Sequence, residues 1–194
     1  MKGEAAAEMA AGGGAASLDD ILPREDISKH INAKLLKFFD PAGKDWKVKV
    51  KGCEMVEQIL KDAKMRIKPD GLGDLMDLLQ KGMKESNKAV LKTFFALLGT
   101  LAEACGEPIA IYRKKCFVPM LQHLSDKQGL VRQQVIVPMN KWAEAIGDHK
   151  IIDSLAPYLT EGNPELREEA LTWILAHKAA LKKVEHKELV APLV

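Results

Sequence analysis

Lysine recurs in three short polar stretches of this chain, and in the first of them it surrounds a tryptophan. Residues 41–51 carry Lys44, Lys47, Lys49 and Lys51 against Asp45, a net +3, with Trp46 among them. Residues 81–92 carry Lys81, Lys84, Lys88 and Lys92 against Glu85, again +3, and residues 125–132 carry Lys127 and Arg132 against Asp126. A fourth stretch, 160–169, reverses the sign, with Glu161, Glu165, Glu168 and Glu169 opposed only by Arg167. The chemistry available to such groups is non-covalent. Cations steer and clasp an acidic surface, and an exposed indole is an efficient anchor in a protein interface.

Bond-making chemistry finds no constellation. There is no glycine-rich phosphate loop, no HExxH, no GxSxG and no zinc-type Cys/His spacing. Cys53, Cys105 and Cys116 are scattered, odd in number and without a CxxC pair, and read as small core residues in a reducing cytosol. His30, His123, His149, His177 and His186 fall in different segments or at helix ends and read as surface or capping residues. The expectation is a binding protein with no catalytic residue, metal or cofactor.

The elements that must hold these stretches are helices. Ala, Leu, Lys, Glu and Met dominate and aromatics are scarce at 5%, a composition that loses little side-chain freedom in a helix. No run approaches the ~20 apolar residues that cross a bilayer, so no membrane partner is expected. Residues 1–17, rich in Ala and Gly, read as a disordered leader or linker ahead of a folded region spanning 18–194.

Within that region four segments line up, starting at Asp45, Ser86, Asp126 and Gly162. Each opens with a polar turn and continues as an amphipathic helix, and the equivalent apolar positions Val48, Val90, Val131 and Leu166 stand 42, 41 and 35 residues apart. That spacing is close to the ~40 to 47 residues of HEAT and armadillo units. A shorter apolar stretch precedes each segment, at 31–39, 72–83, 108–124 and 150–159, so each unit reads as helix, turn, helix. Lys68-Pro69-Asp70-Gly71, Gly106 with Pro108, and Gly147-Asp148 punctuate the hand-over between units, and Asn163-Pro164 is an N-cap followed by proline at the first helical position. Pro119 and Pro138 fall inside expected helices and predict kinks. The fold expected is an all-α solenoid of about four helix pairs, with residues 186–194 opening a fifth that stops midway.

In a solenoid the turns within each pair fall along one edge, which gathers the lysine stretches into a single ridge. Trp46 is its sharpest residue. If the core stripe of its helix runs through Val48, Met55, Val56, Ile59 and Ala63, Trp46 stands about 200° from Val48 and projects onto the ridge. The alternative is that its ring folds over its own loop and seals the end of the unit. Trp142 and Trp173, well inside their helices, read as core. A lysine ridge could also grip phosphates, but the fourth turn is acidic and aromatics are not interleaved with the basic residues as a stacking surface requires, so no nucleic-acid partner is expected.

ILPREDIS at 21–28, DWKVK at 45–49, ESNKAV at 85–90, NKWAEAIG at 140–147 and NPELR at 163–167 resemble, in order, the landmarks of the fourth TOG domain of the ch-TOG / Minispindles family of microtubule polymerases, its plant members above all. The resemblance spans most of the region 18–194 and implies a HEAT paddle whose turns bind the αβ-tubulin heterodimer. It places tubulin contacts at Trp46 and Lys47 in the first turn, Asn87 and Lys88 in the second, Lys127 and Arg132 in the third, and Arg167 in the fourth. It further implies work at the microtubule plus end beside other TOG domains of the same full-length chain, in the cytoplasm, on the cytoskeleton and spindle. Family domains have six units, so the chain reads as truncated. Its first turn, DPAGKDWK, is long, and Val90 and Leu91 stand where other units have a basic residue. The alternative reading is a HEAT scaffold that docks another spindle or kinetochore protein through its helical face.

Overall fold

The computed structural model describes residues 23–160 and 163–184, so the expected leader at 1–17 and the expected fifth unit from His186 lie outside the described residues. Four helix pairs follow one another. The first joins α1 (Ala33–Leu36), extended by a 3-10 turn at Lys37–Phe39, to α2 (Trp46–Asp62). The second joins α3 (Gly73–Gly82) to α4 (Lys88–Cys105). In the third, 3-10 and π turns over Glu107–Phe117 lead through α5 (Val118–Leu121) and a further 3-10 turn, Gln122–Ser125, to α6 (Gly129–Ile146). The fourth joins α7 (Asp148–Leu155), extended by a 3-10 turn at Ala156–Leu159, to α8 (Pro164–Ala176).

Local chemistry sets where the second helix of each pair begins. The first amide groups of a helix lack intrahelical acceptors, and here side chains supply them. Asp45 Oδ1 accepts from the Lys47 amide at 2.9 Å, Asn87 Oδ1 from that of Ala89 at 2.9 Å, and Asn163 Oδ1 from that of Leu166 at 3.1 Å, with Pro164 in the first turn of α8. Gln128 makes no side-chain cap, and the Asp126 carboxylate accepts its amide at 2.9 Å instead. Where units hand over, Gly106 and Gly147 take φ of 60° and 94°, a left-handed region that a Cβ disfavours.

The units share one core. Helix α4 lies at its centre and is buried almost all round, from Val90 and Leu91 to Ala104 and Cys105. Trp142 and Trp173 are core residues, as expected. Trp142 packs on Phe117 with ring centroids 5.2 Å apart and donates from Nε1 to the Leu98 carbonyl at 3.2 Å, while Trp173 donates to Asn140 Oδ1 at 2.9 Å. Pro138 lies inside α6 where α4 passes closest, and Gly99 makes that approach possible, because a Cβ there would stand 3.0 Å from Pro138 Cα. Pro119 follows the π turn Arg113–Phe117, so the break expected at that proline takes the form of a change of helix type.

The phase expected for α2 is corrected. Its buried stripe is Lys49, Gly52, Cys53, Val56 and Leu60, while Val48 and Met55 are 41% and 36% exposed. The wheel is turned by roughly 70°, so that Val56 and Ala63 stay buried as expected while Val48 and Met55 leave the core. Close packing decides this, since a Cβ on Gly52 would stand only 2.6 Å from Phe38 Cβ and 3.1 Å from the Phe39 ring. The glycine admits the two rings, and the larger Val48 and Met55 turn outward.

Candidate functional site: the turn edge

The caps bring Asp45, Asn87, Gln128 and Asn163 to equivalent places at the starts of the second helices. The residues that follow them therefore occupy corresponding places along one edge of the stack. Trp46 opens α2 and is 42% exposed, in a stretch, 41–48, that is exposed throughout. The reason differs from the expected one. On the corrected phase Trp46 stands seven residues before buried Cys53 and so near the buried face. It escapes burial because it lies in the first turn of α2, beyond the reach of the packed core.

Lys47 and Lys127 are exposed beside it on their own turns, and Arg167 is exposed in the first turn of α8. Asn87 is half-buried, its side chain spent on the cap of α4. Three further cations are tied between units. Lys49, counted among the ridge charges from sequence, is instead buried at 4% and paired with Glu85 of the next unit. Lys88 pairs with Asp126 at 2.5 Å, its side chain still 43% exposed, and Arg132 Nε donates to Glu169 at 2.9 Å. These pairs span 36, 38 and 37 residues, one repeat each. In every one the base belongs to the earlier unit and the acid to the later.

Other ion pairs run the opposite way. Asp77 meets Lys115, Glu103 meets Lys141 at 2.7 Å and Glu107 meets Lys150 at 3.2 Å, now with the acid in the earlier unit.

Asp126 is the hub of the turn edge. Oδ2 takes Lys88, Oδ1 takes the Gln128 amide, and the backbone carbonyl takes Arg132 Nη1 at 2.8 Å. The Lys88 ammonium above all, with help from the Gln128 amide, holds its carboxyl below the usual carboxylate range against the opposing effect of burial. His123, just ahead of it, is half-buried against Phe95, with rings 5.0 Å apart, and burial pushes its pKa down. It is a packed residue, not the surface one expected. His177 caps α8 and stacks on Trp173 at 3.8 Å, as a capping role requires.

Two features of the edge were not among the expected site residues. Leu130, in the first turn of α6 beside Lys127, is 68% exposed. Its sequence signal was its position off the Val131, Val135, Met139, Trp142 stripe that is buried. Lys81 and Lys84 line two clefts that flank the second turn. The three cysteines are buried free thiols, each pushed by burial to a pKa of about 12. Among the described residues there is no acidic, Cys or His cluster arranged to hold a metal, and no helix long and apolar enough to cross a membrane.

An all-α stack of helix pairs with its inner turns aligned on one edge, cations braced along that edge and an indole projecting from its first turn, belongs to the class of HEAT-type binding scaffolds. No family model matches the chain. It is 32% identical over 157 residues to Protein MOR1 of Arabidopsis thaliana, covering 80% of this chain and 8% of that protein. It is also 31% identical over 160 residues to Protein mini spindles of Drosophila melanogaster, covering 81% of this chain and 8% of that one. The chain is a TOG domain of the ch-TOG / Minispindles family. It spans 8% of the length of these relatives. Two solved structures share the fold. One, from work on microtubule plus-end tracking by XMAP215, CLIP-170 and EB1, matches with a TM-score of 0.70 at 20% identity, covering 90% of this chain and 72% of its own. The other, from work on tubulin recruitment and assembly by microtubule polymerases with TOG domain arrays, matches with a TM-score of 0.67 at 16% identity, covering 82% of this chain and 32% of its own.

Proposed function

We propose that this domain binds αβ-tubulin non-covalently through the turn edge, without catalysis, as one TOG domain among others in a microtubule-associated protein that promotes microtubule growth and organisation at plus ends and on the spindle, in the cytoplasm. The observation that carries the reading is the exposed Trp46 at the start of the edge, in a chain whose relatives are MOR1 and mini spindles. Trp46 is the anchor. Lys47, Lys127 and Arg167 are free to meet acidic groups of tubulin. Asn87, Lys88 and Arg132 hold the turns in register, and Lys88 keeps enough exposure to touch the partner as well. Related structures described in terms of tubulin recruitment support the choice of partner.

Tubulin and the purified domain are expected to co-elute on a sizing column. Trp46→Glu is expected to weaken the complex by about 30-fold or more, the loss of ~2 kcal/mol typical of an interface anchor. No complex with the wild-type domain, or an undiminished one with the variant, refutes the reading.

A further inference from the structure

Once the braces between units are subtracted, the cations left free in the second turn do not include Lys88, the one its motif singles out. Lys88 and Arg132 have partners in the next unit, and Lys49 is buried. In the second turn the unpaired cations are Lys81, in the last turn of α3, and Lys84, one turn further on, whose amide donates to the Lys81 carbonyl at 3.3 Å. The two side chains take part in both of the clefts that flank this turn. One cleft, of about 480 Å³, lies toward the first turn and is closed by Pro41, Glu85 and Ser86. The other, of about 340 Å³, lies toward the third unit and is closed by Gln80, Pro119, Gln122 and His123. The lysines thus stand between two adjoining hollows along the edge.

We infer that these joined clefts are a docking track for an extended, carboxylate-rich peptide segment. Charge complementarity favours an acidic occupant. Both lysines are free, the single carboxylate lining either cleft, Glu85, is already paired with Lys49, and His123 is held toward its neutral form by burial. The rest of the lining favours peptide over a phosphate backbone. Gln80 and Gln122 offer amide groups that can both donate to and accept from a main chain. Pro41, Met83 and Pro119 give apolar floor for side-chain stems, no Phe, Tyr or Trp ring lines either cleft to stack a base, and the His123 ring is already packed against Phe95. Lys81 also suits the negative end of the α3 dipole, but Lys84 lies beyond the last helical residue, where that role does not explain it.

The track does not include Trp46. It deepens the turn-edge reading by assigning the clefts to an acidic stretch of the partner, and it can be tested apart from that reading. The probe is a fluorescein-labelled Glu/Gly peptide titrated with the purified domain and followed by anisotropy.

Saturable binding is expected in the wild type, weakened by about tenfold or more in both Lys81→Gln/Lys84→Gln and Lys81→Glu/Lys84→Glu, and kept in Trp46→Glu. The exposed lysines have no structural partner, so melting temperatures of the Gln variant should match wild type. Absence of saturable binding, equal binding by the double variants, or displacement by duplex DNA or polyphosphate as readily as by unlabelled peptide overturns the inference. Tubulin co-elution measured alongside separates the two claims. A domain that holds tubulin but no peptide leaves the turn-edge reading standing and removes the track, and the reverse result removes the first and keeps the second.

Discussion

Glu85→Ala should be among the most damaging single substitutions on the turn edge, although Glu85 is partly open to water. Its partner explains this. Lys49 sits on the buried face of α2 with a side chain 5% exposed, against 22% for that of Glu85. Removing one member of a buried pair leaves the other charge uncompensated, at a cost of about 3–5 kcal/mol, and the partial exposure here points to the lower end, about 3. For a domain of this size that is a fall of roughly 6–12 °C in melting temperature. Lys49→Met keeps the apolar stem and strands only the wetter carboxylate, so it should cost about 1 kcal/mol or less. The double variant should resemble Lys49→Met alone, giving a coupling of about 3 kcal/mol. Urea unfolding followed by circular dichroism, with tryptophan fluorescence as a second probe, measures all four corners of the cycle. A cost under about 0.5 kcal/mol for Glu85→Ala would show that the ammonium reaches water by itself, and the bracing argument for this pair would fall.

Gly99→Ala should destabilise by about 1–3 kcal/mol, because its Cβ meets Pro138 Cα at 3.0 Å, whereas Gly73→Ala, with nothing within 4 Å, should unfold at or above the wild-type denaturant midpoint. Cys53, Cys105 and Cys116 should resist alkylation in the folded domain at neutral pH. Burial keeps their thiols protonated up to about 12, so the stability this contributes is complete below the ordinary thiol pKa and is lost as pH rises from about 9 to about 12. Mass spectrometry of iodoacetamide adducts and an alkaline unfolding series check the two halves, and rapid native labelling of any of the three contradicts them.

Local rules made much of the fold legible before any coordinates. The cap at Asn163 and the turns at Gly106 and Gly147 depend on neighbours within a few residues, and all stand where the sequence pattern put them. The repeat spacing then carried those local elements into a stack. The phase of α2 was lost because it depends on a contact between Gly52 and Phe38 that hydrophobicity cannot see, where the smallest residue outcompetes Val48 and Met55 for the buried side. The charge of the turn edge was over-read for a related reason. Summing lysines within a turn ignores acids one repeat away, yet Lys49, Lys88 and Arg132 each find one there. Leu130 was passed over since a single exposed leucine carries no signal until its turn is aligned with that of Trp46.

The ion pairs between units also have a direction. Along the turn edge each of the first three units offers a base to the unit after it, and in the second set the second and third units offer an acid. On the turn edge, units stacked in sequence repeat this match at each of the three steps. The braces that stiffen the domain therefore also give the solenoid, in its charges, a sense of forward and back.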